Sequence, residues 1–371
     1  MSSQYTIPLW NIDVGEAAAE GVAEAIRNRH ISQGALTEAF ETELARMLDV
    51  PYALCTTSGT VALMLSLRLL GVEPGDEIIL PARSWVATAN AAMLLGAKPI
   101  LVDIEASRPV IDPWLIESAI TPRTRAIMPV HLNGIGCQMD AIGAIGEKYE
   151  IPIVEDACQA IFSRQGARYL GTFGRLGCFS LGLAKMLPTG QGGVIVCHDR
   201  ADYETLCALR NQGQRGGNLG DQIYMLGGNF KFTDMQAAMG LAQLPIIPRR
   251  IEHQLALQKV YEDGLCELPG MQPLSADATQ GEHPLRAEWL CTWRHELLKT
   301  LNNHSIHAVA QGLGLHELPH IQPLLPMDAH FPNANRYSAT FVTLPSGPEQ
   351  PLENAQRTVD VLRANHPSAS L

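Results

Sequence analysis

The chain has 371 residues, of which 46% are hydrophobic and 18% are charged, and its formal net charge is −11. This length and hydrophobic content allow one large domain and a smaller one, each with a buried core. The negative charge argues against nucleic acid binding, which depends on Lys and Arg neutralising phosphates. No uncharged apolar run reaches the ~20 residues of a membrane span.

The N-terminal stretch "MSSQYTIPLW" lacks the basic and apolar regions of a signal peptide. Eight cysteines are scattered along the chain without a CxxC pair. Scattered cysteines with apolar neighbours are typical of buried thiols in a reducing compartment. We therefore expect a cytoplasmic protein.

The first half of the sequence alternates between helical and strand patterns. The predicted helices cover residues 15–31, 36–48, 57–72, 87–97, 113–120 and 139–150. The predicted strands, short and rich in Ile and Val, cover residues 77–81, 98–105, 125–131 and 151–157. This alternation indicates right-handed crossovers and a largely parallel sheet with helices on both faces.

Two further predicted strands, 177–181 and 192–199, lie too close together for a helical crossover. We expect them to be antiparallel, which makes the sheet mixed. After residue 265 the pattern changes to a smaller α+β arrangement. Its predicted strands are 287–293 and 341–345, and its predicted helices are 295–303 and 352–365. We predict a large α/β domain over 1–247, including the N-terminal helices, and a small C-terminal domain over 248–371.

Polar side chains follow the strand 151–157, where Glu155 and Asp156 end the run and Gln159 comes shortly after. Ligands of open α/β sheets bind at the carboxyl ends of the strands, so these residues are candidates for a site. A carboxylate in this position can equally cap the N-terminus of a following helix. The motif alone leaves both interpretations open.

A second candidate is the start of the helix after "TSGT". Ser58, Gly59 and Thr60 open this helix, whose free amides and dipole attract an anion. Many helices begin in this way, so the motif is weak by itself. Ser180 offers a hydroxyl, and the "GQGG" run at 190–193 allows a close approach to the backbone.

The stretch "FSLGLAKMLPTGQGG" isolates Lys185 among small and apolar residues. Together with the other candidates it indicates a ligand that is anionic at one end, is flat, and carries a basic nitrogen and an aldehyde. Pyridoxal 5′-phosphate (PLP) has these features. Its phosphate would rest on Gly59 and Thr60, and its ring would lie against Trp85, which otherwise belongs to the core. Asp156 would pair with the pyridine nitrogen, and Lys185 would bind the aldehyde covalently.

These residues carry a resemblance to a known family. The chain resembles the DegT/DnrJ/EryC1/StrS sugar aminotransferases, which have the fold type I architecture of PLP-dependent transferases. The resembling segments include "SGTVALMLSL", "GDEIILPARSWVATANAAMLLGAKPILVDIE", "VEDACQA", "FSLGLAKMLPTGQGG" and "GGNFKFTDMQAAMGLAQL". They occur in the family's order over about two thirds of the chain. The region 270–330, where part of the substrate pocket is expected, matches the family poorly.

The resemblance implies catalytic roles for Lys185 and Asp156. It also implies that Gln159 reaches the phenolic oxygen of the cofactor and that Asn229 reaches the phosphate from a partner subunit. A homodimer with shared active sites follows. The cofactor-binding set implied in this way is Ser58, Gly59, Thr60, Trp85, Asp156, Gln159, Ser180, Lys185 and Asn229.

The resemblance further implies transfer of an amino group from L-glutamate or L-glutamine to a keto sugar or a sugar-like carbonyl acceptor, in the synthesis of amino sugars for a polysaccharide or an antibiotic. Two alternatives stay open: a PLP-dependent dehydratase or elimination enzyme acting on a sugar, and a non-catalytic regulator of the same fold. Lys185 argues against the dehydratase, because that subgroup has histidine in its place. No metal is predicted, since Pro319 interrupts the zinc-like motif "HELPH".

Overall fold

The computed structural model describes residues 5–214, 222–310 and 314–367. Within them the α-helices are α1 (Glu16–Arg27), α2 (Ala35–Met47), α3 (Gly59–Leu69), α4 (Ala87–Met93), α5 (Pro113–Ala119), α6 (Met139–Tyr149), α7 (Arg200–Arg210), α8 (Asp234–Gln243), α9 (Ile247–Leu265), α10 (Arg294–Asn303), α11 (Pro332–Thr340) and α12 (Leu352–Ala364). The strands are β1 (Tyr52–Thr56), β2 (Glu77–Pro81), β3 (Lys98–Val102), β4 (Thr124–Ile127), β5 (Val154–Asp156), β6 (Arg164–Gln165), β7 (Arg168–Tyr169), β8 (Leu176–Ser180), β9 (Gly193–Cys197), β10 (Met271–Pro273), β11 (Ala287–Cys291) and β12 (Phe341–Leu344).

The large sheet is built from two groups of strands, β3-β2-β4 and β1-β9-β8-β5. Parallel bridges from Ile127 to Ile153 and from Val130 to Asp156 join β4 to β5, so the order is β3-β2-β4-β5-β8-β9-β1. Only β9 runs against its neighbours among these strands, pairing antiparallel with both β8 and β1. The predicted mixed, mostly parallel sheet is confirmed.

Helices cover both faces of this sheet because the strand residues alternate between two cores. Leu54 and Ile195 pack with α3 and α4 on one face. Their neighbours Cys55 and Val194 pack with α2 on the other face. β2 and β9 are buried at every position because helices cover both of their faces, and their side chains are apolar except at Glu77, the first residue of β2. The predicted α/β fold class is thereby confirmed.

β1 and α7 are among the elements of the large sheet region that had no sequence prediction. β1 is a run of five residues that lies between two strongly periodic helices, and pairing with β9 makes it a strand. α7 begins at the N-cap Asp199, whose side chain accepts a hydrogen bond from Asp202 N. Several predicted elements are also shorter in the structure: α4 ends at Met93, before Gly96 with its φ of 79°. A glycine in the left-handed region ends a helix locally, and the predicted helix ran past the turn that contains it.

The C-terminal part contains an antiparallel sheet in the order β10-β11-β12. Its core joins α9, α10 and α12 to the inner face of β11 and includes Ile7 from the N-terminal segment. The backbone of Ile7 bridges to Ile306, and that of Trp10 bridges to Ser346. The N-terminal segment therefore packs on the C-terminal part, although the sequence assigns it to the large domain. The boundary between 247 and 248 stays a prediction.

Over the described part of the chain, no α-helix combines the length and the apolar character required to cross a bilayer. The eight cysteines are all free thiols, and most of them are buried.

Candidate active site

The candidate residues gather at one edge of the large sheet. Asp156 ends β5 and Ser180 ends β8, while Gly59 begins α3 just after β1. Trp85 follows β2. Because β9 runs in the opposite direction, its first residue Gly193 also lies at this edge. The topology therefore brings together residues that are more than 100 positions apart in the sequence.

Asp156 is 4% exposed and is held from two sides. Thr88 Oγ1 donates to Oδ2 over 2.7 Å, and the backbone N–H of Cys158 donates to Oδ1 over 3.1 Å. Thr88 Oγ1 also lies 2.6 Å from Ser84 Oγ. Since Thr88 has one hydroxyl proton and gives it to Asp156, Ser84 donates to Thr88. Donors on both oxygens stabilise the ionised carboxylate in a buried place.

The helix-cap interpretation of Glu155 and Asp156 is wrong, because no helix begins between Asp156 and β6. Glu155 points to the opposite face of the sheet, as alternation requires. There it accepts hydrogen bonds from His131 Nε2 at 2.8 Å and from the backbone N–H groups of Gly171 and Gly174. Glu155 therefore stabilises the chain around β5.

Lys185 lies half-buried in the loop between β8 and β9. Burial lowers the pKa of its ammonium group, and the charge of Arg286 acts in the same direction. Cys158 and Asp156 act in the opposite direction and raise the Lys185 pKa. Both groups therefore lie close enough to Lys185 to interact with its charge. A lowered pKa makes the neutral, nucleophilic amine more available.

The start of α3 forms a narrow cradle. A Cβ atom at Gly59 would lie 2.9 Å from Ser180 Cβ and 2.9 Å from Cys158 Sγ. A Cβ atom at Gly193 would lie 2.3 Å from the carbonyl oxygen of Ser58. Ser58 Oγ accepts from Val61 N at 3.2 Å and caps the helix. Only glycine at positions 59 and 193 permits the start of α3 to pack so closely against Ser180, Cys158 and β9.

A cleft of about 550 Å³ opens beside this cluster. Its lining includes Trp85 and Gln159 from the predicted set, together with Arg83, Arg286 and Glu288. Trp85 is 67% exposed, so the core interpretation of this residue is wrong.

Several residues of the site were not found from the sequence. Thr88 and Cys158 fix Asp156, and Arg286 acts on Lys185. Asn133 connects two residues that line the cleft, Gln159 and Arg286. Its backbone N–H donates to Gln159 Oε1, and its side-chain Nδ2 donates to the backbone carbonyl of Arg286. The sequence analysis identified none of these residues; the position of Thr88, three residues after Trp85, is the one signal that could have led to it.

Asn229 is exposed, and its backbone pairs with that of Asn211. Its role in a partner subunit's site stays a prediction. The two histidines of "HELPH" bind side-chain amides rather than converging: His316 contacts Asn335, and His320 contacts Asn90. Within the described ranges, no group of three or more His, Cys, Asp or Glu has the arrangement of a metal site.

The residues present fit PLP. The free backbone amides at the start of α3 suit an anion, the buried Asp156 carboxylate suits a protonated ring nitrogen, and Lys185 supplies an amine with a lowered pKa. The fold and the site together define a PLP-dependent aminotransferase.

Comparison with known proteins gives the family. The profile of the DegT/DnrJ/EryC1/StrS aminotransferase family matches residues 13–363, and the chain belongs to this family. The chain is 34% identical to the dTDP-3-amino-3,4,6-trideoxy-alpha-D-glucose transaminase of Streptomyces venezuelae, over 92% of this chain and 90% of that protein. It is 29% identical to the spore coat polysaccharide biosynthesis protein SpsC of Bacillus subtilis (strain 168), over 97% and 96%.

A solved structure gives the same result. The crystal structure of S. venezuelae DesV in complex with a ketimine intermediate superposes with a TM-score of 0.89 at 30% identity, over 96% of this chain and 97% of DesV. The resemblance stated from the sequence, the PLP cofactor and the aminotransferase activity are therefore confirmed.

Proposed function

We propose that the enzyme moves an amino group from L-glutamate or L-glutamine to a keto sugar, as a step of amino-sugar biosynthesis. The observation that carries this proposal is the buried Asp156 carboxylate, held by Thr88 and Cys158, in one electrostatic environment with Lys185. The names of the two relatives, a dTDP-sugar transaminase and a polysaccharide biosynthesis protein, support a sugar as the acceptor.

Each candidate residue has a role in this proposal. Lys185 binds the aldehyde of the cofactor and then moves a proton with its amine. Asp156 keeps the proton on the ring nitrogen. When PLP is bound, it withdraws electrons from the carbon that loses its proton. Gln159 and Trp85 border the ring. The phosphate lies on Ser58, Gly59, Thr60 and Ser180, with Ser58 acting through the helix cap that it forms.

The test separates the two half-reactions. L-Glutamate or L-glutamine is added to the holoenzyme in the absence of any ketone. We expect loss of the visible absorbance of the bound cofactor and formation of one 2-keto acid per active site, measured by mass spectrometry. A holoenzyme whose spectrum ignores every amino acid would instead support the non-catalytic regulator. The dehydratase alternative predicts loss of a hydroxyl, without transfer of nitrogen, when keto sugars are supplied.

We further propose a homodimer in which Asn229 of one subunit completes the site of the other. Two large apolar side chains are exposed in the single chain: Leu183, two residues before Lys185, is 64% exposed, and Leu226, three residues before Asn229, is 77% exposed. Apolar patches of this kind are typical of subunit interfaces. Sedimentation of the purified protein measures the oligomeric state.

Mixed dimers test the shared site. Lys185→Ala and Asn229→Ala variants are inactive alone in this proposal. When they are refolded together in equal amounts, half of the dimers are mixed, and each mixed dimer has one intact site. About a quarter of the wild-type activity returns. If Asn229 acts within its own subunit, no activity returns.

We propose a cytoplasmic location, because free and mostly buried cysteine thiols are typical of proteins in a reducing compartment. Fractionation of cells that express the protein, with detection by antibody, tests it.

A further inference from the structure

Glu288 occupies an unusual place for a carboxylate. It lies on β11, the central strand of the C-terminal sheet, and pairs with Thr343 of β12. Its neighbours Ala287 and Trp289 point into the C-terminal core. Because side chains alternate along a strand, Glu288 points the other way, and it lines the cleft beside Trp85 and Gln159. The strand holds its backbone rigidly at the wall of the active site.

The carboxylate is almost completely enclosed. Glu288 is 6% exposed, and its Oε2 atom has no hydrogen-bond partner among the described residues. A buried carboxylate oxygen without a donor is costly, because it loses its hydration and gains no bond in return. Such groups in a native structure commonly mark a place where a ligand supplies the missing donor.

Two arginines accompany Glu288 in the cleft. Burial raises the pKa of the Glu288 carboxyl group, and the charges of Arg286 and Arg83 oppose that shift. The charge of Arg286 also lowers the pKa of Lys185, so the same guanidinium group acts on the reactive amine and on Glu288. Arg83 is buried and stacks over the ring of Phe341, with 4.3 Å from its guanidinium carbon to the ring centre. The wall of the cleft therefore presents a carboxyl oxygen as an acceptor beside two guanidinium groups, although the cleft is otherwise largely apolar.

We propose that Glu288 selects the acceptor of the reaction by accepting a hydrogen bond from one of its hydroxyl groups. The inference rests on the proposed aminotransferase function and names the chemistry of its second substrate: a ketone that carries a free hydroxyl near the carbonyl group. A site built to bind a hydroxyl rejects the analogue that lacks it, because the buried oxygen is then left without a partner.

The unpartnered acceptor oxygen of Glu288 indicates which substrate it serves. The amino donor has a carboxylate next to the reacting carbon, and two carboxylates in a cleft of low dielectric repel each other. A sugar-like ketone is neutral at its ring and presents several hydroxyl protons. The donor carboxylate is accommodated better by the guanidinium of Arg286. Glu288 therefore acts on the half-reaction that consumes the ketone.

The test uses the wild-type holoenzyme and two variants, Glu288→Gln and Glu288→Leu. The probes are cyclic polyhydroxy ketones and their monodeoxy counterparts, each supplied after the enzyme has been converted with L-glutamate. We expect the wild type to prefer the hydroxylated ketone over one particular deoxy counterpart by about 10- to 100-fold in kcat/KM. In Glu288→Leu the ratio for that pair falls to about one, and Glu288→Gln lies between. Because both ketones are measured in the same variant, a general loss of activity cancels.

Glu296→Gln is the matched control, since Glu296 is an exposed glutamate eight positions further along the chain. We expect Glu296→Gln to keep the wild-type ratio of kcat/KM between the hydroxylated ketone and its deoxy counterpart. Calorimetric binding of the hydroxylated probe to each protein gives a second readout that does not depend on turnover, and we expect weaker binding in Glu288→Leu. A variant that folds and keeps the wild-type ratio for every pair overturns the role of Glu288. A wild-type enzyme that does not react with any amino acid overturns the proposed function instead, so the two failures are distinguishable.

Discussion

Thr88 donates a hydrogen bond to Asp156 over 2.7 Å, across a separation of 68 residues in the sequence. The contact joins α4, which follows β2, to the end of β5. Ser84 stands behind Thr88 at 2.6 Å, so a relay of two hydroxyls leads to the carboxylate. This relay orients the acid that faces the ring nitrogen of the cofactor in the proposed function. Thr88 is a positioning residue, because it acts through Asp156.

Replacing Thr88 tests this relay. We expect Thr88→Val to slow the reaction with L-glutamate by about 10- to 100-fold, because Asp156 loses its donor while the volume of the side chain is kept. Thr88→Ser retains the hydroxyl and restores most of the rate. The rate is measured by stopped-flow absorbance, with cofactor content checked in each variant. Equal rates for the Val and Ser variants would show that the hydroxyl has no such role.

Replacing Lys185 tests the covalent attachment. In Lys185→Ala, treatment of the holoenzyme with borohydride leaves no cofactor bound to the chain, as measured by intact mass. Lys148→Ala is the control, because Lys148 is an exposed lysine that pairs with Glu117 on the surface. It retains full labelling after borohydride treatment. A reduced adduct of the same mass in Lys185→Ala would assign the attachment to another residue.

The cradle at the start of α3 is sensitive to a single methyl group. In Gly59→Ala the new Cβ lies within 3 Å of Cys158 and Ser180, so the neighbours must shift. We expect the Kd for PLP, measured by equilibrium dialysis, to rise at least about tenfold. Gly143 is a matched position inside α6, where a Cβ meets nothing within 4 Å. Gly143→Ala keeps the affinity and stabilises the fold by about 0.5–1 kcal/mol. An unchanged Kd in Gly59→Ala would remove this residue from the phosphate site.

We expect the stability of the folded chain to fall at acid pH because of His283. This residue is 3% exposed, and burial lowers its pKa from 6.5 to about 4. The unfolded chain therefore takes up a proton at a higher pH than the folded chain does. The stability that depends on neutral His283 is complete above pH 6.5 and is lost as the pH falls from 6.5 towards 4. The loss reaches about 3 kcal/mol in the free energy of unfolding.

Urea titrations at a series of pH values measure this effect. His283→Leu should flatten the dependence between those two pH limits, whatever its effect on stability at neutral pH. His30→Gln, a change at an exposed histidine, should leave the dependence as in the wild type. The same slope in the wild type and in His283→Leu would assign the acid sensitivity to other groups.

Much of the fold follows from local pattern. The strands β2, β8 and β9 and the helices α2, α5 and α6 are found within a few residues of their predicted positions. Their apolar residues recur with a clear period and end at glycine, proline or polar residues. β1 escaped prediction because its sequence, YALCT, lacks the Ile and Val residues that mark β2, and its pairing with β9 makes it a strand.

The sequence by itself determined the family, the cofactor and the candidate catalytic residues Lys185 and Asp156. Those residues stand in motifs whose local backbone requirements are strict. Only the tertiary structure revealed Thr88, Asn133, Arg286 and Glu288, and only it separated Glu155, on the far face of the sheet, from Asp156. The physical reason is that hydrogen bonds and electrostatic effects depend on distance in space. Parallel strands with long crossovers bring together residues whose sequence positions do not reveal that proximity.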